Sequence, residues 1–179
     1  MSNIIKYKKW LTLIFSMLVC PFILLAIADA QTSPKIIGEY KSWTALKYQE
    51  KGKLVCFISS SPIKWNSTPK GVKRGDIYIL VTHRPSFGTR DEVSVYVGYP
   101  FKKKSEVIAN VDGKTFRLFT DEKTAWARDS KTDKKMVQSM RSGNQLIIDG
   151  VSSRGSKTKD YYSLLGFTSA HNKINRTCK

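Results

Sequence analysis

The sequence predicts an all-β domain, a β-sandwich or compact barrel, with two short helices, one of them at the C-terminus. Three observations predict it. Short strand-like runs, about eight of them, recur between residues 40 and 163. Turn residues interrupt them at intervals of about ten residues, the rhythm of antiparallel folds. No alternation of strands with long helical patterns occurs, which disfavours a parallel α/β sheet.

The first thirty residues stand apart from this pattern. Lys6, Lys8 and Lys9 precede an almost unbroken apolar run over residues 10–27, and Ala28-Asp29-Ala30 supplies a small-x-small site. This is the layout of a cleavable secretory signal, with the mature chain starting at Gln31. The alternative is an uncleaved anchor, because the run approaches spanning length. Cys20 lies in mid-run, without the small residues that precede a lipidated cysteine. The whole chain has 31 basic and 14 acidic residues. Without Lys6, Lys8, Lys9 and Asp29, 28 basic and 13 acidic residues remain, a formal charge of +15 over residues 31–179. That length suits one domain with its own core.

Residues 31–37, with Pro34, read as a polar and loosely ordered lead. Residues 42–48 and 52–59 read as the first two strands, and a long basic loop over 60–75 carries Lys64, Trp65, Lys70, Lys73 and Arg74. Residues 76–82 are apolar on both parities, as in a central strand. Val93, Val95 and Val97 alternate with polar positions, as in a half-buried one. Lys102, Lys103 and Lys104 form a second basic loop. Residues 106–111 and 114–119 flank Asp112-Gly113, a pair that tolerates the positive φ of a two-residue hairpin turn. A brief strand or bend at 125–127 precedes a helix capped by Thr132 or Asp133, with Met136, Val137 and Met140 on one face and Gly143 at its end. Residues 145–148 form another strand, and 152–159 a basic turn with Arg154, Lys157 and Lys159. A last strand and a helix, apolar at Phe167, Ala170 and Ile174, end at Cys178.

Two cysteines remain after the signal, Cys56 and Cys178. In an exported chain an even count reads as a disulfide, here closing a loop of more than a hundred residues. Two separate buried thiols are the alternative.

Little catalytic chemistry is visible. No H-x-x-x-H, C-x-x-C or carboxylate-rich loop suggests a metal, and no G-x-S-x-G elbow or Gly-rich phosphate loop occurs. No cofactor is expected. His171 reads as a helix-surface residue and His83 as an exposed loop histidine at a strand end. Asp91-Glu92 and Asp121-Glu122 are sequence neighbours that point to opposite faces of a strand, so neither makes an acid/base dyad. Trp43 and Trp126 read as core, and Trp65 as the exposed tryptophan. Tyr96, Tyr99, Tyr161 and Tyr162 read as packing or as a contact surface.

The basic balance is the strongest physical feature. It favours association with polyanions. Outside the cytosol these are anionic lipid headgroups and glycans rather than nucleic acid, and the lysines and arginines of the three basic segments are the candidate surface. The bland alternative is a solvated face that aids solubility.

The chain also resembles the bacterial invasion-associated locus B family. The resemblance rests on the Trp43 strand, on Ala125-Trp126 with the Met136-Val137…Met140 helix and Gly143, and on Ser153-Arg154-Gly155. It is most specific from Asp160 through Tyr161, Tyr162, Ser163, Leu164, Leu165, Gly166 and Phe167 to Ala170, Ile174 and Cys178. It implies a periplasmic or secreted all-β domain, with no settled activity or cofactor and no active site to carry over. Better-known members hold further cysteines, one soon after the first-strand tryptophan; residues 44–48 here have none. Three functions follow: an exported, non-enzymatic envelope or surface protein with peripheral membrane association, a secreted host-interaction factor, and a hydrolase using His83 with a nearby serine.

Overall fold

The computed structural model describes residues 32–179; the predicted signal sequence lies outside the described residues. Eleven strands form one antiparallel sheet in the order β1-β2-β3-β5-β6-β9-β8-β7-β10-β11-β4. They are β1 (Lys35–Tyr40), β2 (Trp43–Glu50), β3 (Lys53–Ser60), β4 (Lys64–Thr68), β5 (Tyr78–Arg84), β6 (Thr89–Tyr96), β7 (Glu106–Val111), β8 (Lys114–Asp121), β9 (Thr124–Trp126), β10 (Gln145–Val151) and β11 (Lys157–Ser163). The end strands β1 and β4 do not pair, so the sheet does not close; it is sandwich-like. Helix α1 spans Ser130–Ser142 and α2 spans Phe167–Thr177.

The β7–β8 hairpin forms as its turn predicts. Asp112 and Gly113 sit at φ 45° and 93°, and Val111 pairs with Lys114. Trp43, Ile58, Val81, Val95, Leu118, Leu146, Ile148 and Tyr162 are buried on the inner faces of the folded sheet. Met136, Val137 and Met140 of α1 and Phe167, Ala170 and Ile174 of α2 complete the core. The Trp43 ring meets Phe167 edge-on at 4.8 Å, and its indole N–H donates to the Ser163 carbonyl at 2.9 Å. Cys56 on β3 is bonded to Cys178 beyond α2, with the Cα atoms 6.0 Å apart.

Several local expectations need correction. The polar lead runs into β1, which begins at Lys35, and the long loop contains β4. Both are edge strands with few buried side chains, so neither shows the alternation that marks a strand; backbone pairing to β2 and β11 makes them. The α1 cap is Asp129, whose carboxylate accepts from the Thr132 N–H at 2.7 Å. Gly143 follows α1 with φ −93°, not in the left-handed region. Its small size matters instead, because a Cβ there would crowd a Val111 methyl and the Ser139 carbonyl.

Candidate functional site

Strand register decides which side chains share the outer face. The two-residue turn at 112–113 sets Glu106 opposite Phe119 and Ile108 opposite Arg117. Phe119 in turn lies opposite Trp126 on β9. On the other side Ile108 faces Asp149, Asp149 faces Lys159, and Lys159 faces Asn66. One surface therefore runs across β9, β8, β7, β10, β11 and β4.

An open groove of about 710 Å³ lies on this surface. Lys102, Lys103, Lys104, Arg117, Arg128 and Lys157 line it, with Glu106 as its acid. The basic loop reaches it because the Lys102 N–H donates to the Val151 carbonyl at 3.0 Å and Phe101 bridges to Ser152. Glu106 accepts from Arg117 and from Arg128, each at 3.0 Å. Hydrogen bonds from Arg128 and then Arg117 hold the Glu106 carboxyl below its usual range. The arginines are 70% and 64% exposed, so these pairs orient the side chains more than they stabilise the fold. Six cationic groups thus face one carboxylate.

The structure divides the sequence-predicted surface. Lys102, Lys103, Lys104 and Lys157 meet in the groove. Lys159 adjoins Lys157 in a neighbouring hollow and pairs with Asp149 at 3.3 Å. Lys64 lies over the Tyr161 ring, 5.8 Å from its centre. Lys73 and Arg154 line a separate hollow of about 240 Å³ beside Tyr99. Lys70 is exposed, and Trp65 is 40% exposed at the edge.

Arg74 does not belong to this surface. Its side chain is 2% exposed and forms a two-pronged pair with the fully buried Asp160, at 2.5 and 2.7 Å. Its Nε donates to the Val97 carbonyl, and the rings of Trp65 and Tyr99 flank it at 5.2 Å each. A lone buried carboxylate requires such a partner, and the sequence does not show that Asp160 is buried.

Sequence reasoning missed Arg117, Arg128 and Glu106. Counting back from the Asp112-Gly113 turn would have placed Glu106 beside Phe119, but the approach of Arg128 depends on the β8–β9 pairing. Trp126 is also not core. It is half-buried on the outer face, its ring centre 5.7 Å from that of Phe119. Tyr99 and Tyr162 are buried and so offer no contact surface.

The two histidines, expected on the surface, are buried and meet. The Asp91 N–H donates to Nδ1 of His83 at 3.1 Å, so His83 carries its proton on Nε2, which donates to Oδ1 of Asn175 at 2.9 Å. Nδ2 of Asn175 donates to Nδ1 of His171 at 3.1 Å, and Arg141 donates to the same nitrogen at 2.8 Å. His171 then donates from Nε2 to the Asp91 carboxylate at 2.7 Å. A directional ring of hydrogen bonds closes across β5, β6 and α2. Burial lowers the His83 pKa. Burial raises that of Asp91, but the hydrogen bond from His171 and the surrounding electrostatics outweigh it and leave the carboxyl low.

His83, Asp91 and His171 have ligand atoms within 4.8 Å of one another, as a metal site would. Their surroundings fit one poorly. An imidazole that binds a cation through Nε2 must carry its proton on Nδ1 and give it to an acceptor. Here both Nδ1 atoms face donors. Both nitrogens of His83 are engaged, which leaves neither to activate a serine hydroxyl. The ring fastens α2 to the sheet.

Residues 43–175 match the family model described as Invasion associated locus B (IalB) protein. No curated protein and no solved structure matches the chain.

Proposed function

Because the chain belongs to the invasion associated locus B family, we propose that it is an exported, non-enzymatic binding protein that holds an anionic component of the cell envelope. The observation that carries this reading is the convergence of six cationic side chains from four segments on one groove with a single carboxylate. Such a charge arrangement attracts polyanions and raises their rate of encounter. Paired strands β7, β8, β10 and β11 supply most of the rest of its lining beside the Lys102–Lys104 loop, which limits the backbone freedom lost on binding.

The predicted signal sequence and the Cys56–Cys178 bond support a place outside the cytosol, where disulfides persist. Lipid headgroups, glycans and acidic surface proteins are the anions found there.

The test is binding of the mature protein to anionic vesicles and to an acidic polysaccharide across a salt series. Affinity is expected to fall steeply with salt, because the contacts are exposed and screened. Lys102→Ala/Lys103→Ala/Lys104→Ala is expected to weaken it with an unchanged melting temperature. Binding that ignores salt, or that the triple variant retains in full, removes the groove from the function.

A further inference from the structure

The outer face holds a second feature beside the groove, a row of aromatic rings. Trp126 lies opposite Ser94 on one side and Phe119 on the other, and Phe119 lies opposite Glu106. One row across the sheet therefore reads Ser94, Trp126, Phe119, Glu106. Buried Ser94 is small and lies between Trp126 and half-buried Leu80. In the next row Tyr78 stacks on Tyr96, with ring centres 4.4 Å apart and planes 22° apart. Ser94 and Tyr96 are two residues apart on β6 and so share this face. All four rings are half-buried rather than protruding. The aromatic row ends at Glu106, where Arg117 and Arg128 begin the cationic groove.

We propose that this face binds an anionic glycan, whose sugar rings lie on Trp126 and Phe119 while its acid groups reach Arg117, Arg128 and Lys102–Lys104. The proposal rests on the reading of the groove as an anion site and names the ligand class. Aromatic rings attract the polarised C–H groups of a sugar face through their negative π surface. Cations at one end of the row match the acid groups of a glycan and not the body of a neutral one. A bilayer is disfavoured by shape. Interfacial binding buries an apolar face to a depth of about 5–10 Å, and these rings lie within the sheet surface. The large apolar side chains that do protrude among the described residues, Ile36, Ile63, Trp65, Phe87 and Leu165, are outside this row.

The mature protein is titrated with polygalacturonate, with polyphosphate of matched charge, with neutral dextran and with phosphatidylglycerol vesicles, at low and raised salt. Polygalacturonate is expected to bind more tightly than polyphosphate and to resist salt better, because stacking is not screened. Trp126→Ala and, separately, Phe119→Ala are expected to weaken polygalacturonate about fivefold to tenfold and leave polyphosphate unchanged. The comparison of probes on the unaltered protein stands even if a variant folds poorly. Equal affinity for the two polymers overturns the glycan inference and keeps the groove. Vesicle binding tighter than polygalacturonate and dependent on Trp126 overturns it in favour of a membrane. Absence of binding to every anionic probe at low salt overturns the groove reading itself.

Discussion

Asp133 enters the interior on the first turn of α1, where its carboxylate accepts from the Val93 N–H at 3.0 Å. Burial, with the charges of Glu92, Asp91 and Asp129 nearby, pushes its pKa from 3.8 up to about 6, against the lowering effect of the Val93 hydrogen bond. Between those values the folded protein holds a proton that the unfolded chain releases, so this group's contribution to stability falls as pH rises from about 4 to about 6. The full shift amounts to at most about 3 kcal/mol. Asp133→Asn is expected to raise the melting temperature at pH 7.5, and the gain should vanish by about pH 4; melts at the two pH values check this. His83 acts in the opposite sense. Its pKa is lowered by burial from 6.5, so the unfolded chain binds the proton first and stability is lost as pH falls below 6.5. With Asp133→Asn that loss, and the loss from the lowered Asp91 and Glu106 carboxyls, is no longer opposed by Asp133, and stability should decline steadily on acidification. Arg74 gives a further residue-scale expectation. Arg74→Ala leaves Asp160 buried and unpaired, at a cost of about 3–5 kcal/mol, whereas Arg74→Met with Asp160→Leu should recover most of it. Urea denaturation of the three proteins measures both quantities.

Helix α2 is the element with the most fastenings. Its apolar face packs on Trp43 and the core, its C-terminal end is bonded to β3, and its polar face closes the histidine ring. Gly166 begins it at φ 93°, pressed against the Tyr40 carbonyl, where a Cβ would collide. The bond spans 122 residues of sequence. Loop entropy assigns such a closure roughly 4–5 kcal/mol, and measured values are often smaller. Cys56→Ala/Cys178→Ala is expected to keep the sheet folded by its strand pairing and to loosen α2 first, because only the histidine ring and the apolar face around Phe167 then hold it. Hydrogen exchange should then show lost protection at 167–177 with β3, β5 and β6 still protected. Simultaneous loss over the whole sheet would show that the bond supports the fold and not only the helix. The strands illustrate how much local sequence conveys. The Asp112-Gly113 hairpin and the Val93-Val95-Val97 strand are evident from turn chemistry and alternation. β1 and β4 are not, since an exposed edge strand is made by its neighbour's backbone.

At the scale of the whole molecule, an open antiparallel sheet folds over one core and leaves a broad outer face. Residues 31–179 carry a formal charge of +15, and part of it is concentrated on that face. Lys102, Lys103, Lys104, Arg117, Arg128 and Lys157 concentrate at the groove, while Arg74 turns inward and Lys159 is matched by Asp149. This distribution is why the expected anion binding should weaken more with the Lys102–Lys104 variant than with an equal loss of charge elsewhere. The sequence by itself determined the all-β class, the C-terminal helix, the two cysteines that bond and the family, because alternation, turn chemistry and cysteine count are local properties or simple counts. Only the tertiary structure decided that Arg74 and both histidines are buried, that Trp126 faces outward, and that Arg117 and Arg128 join the basic loop at one groove. Those facts depend on strand order, which brings β9 between β6 and β8 and β11 beside β4, and pairings between distant strands leave no periodic mark in the chain.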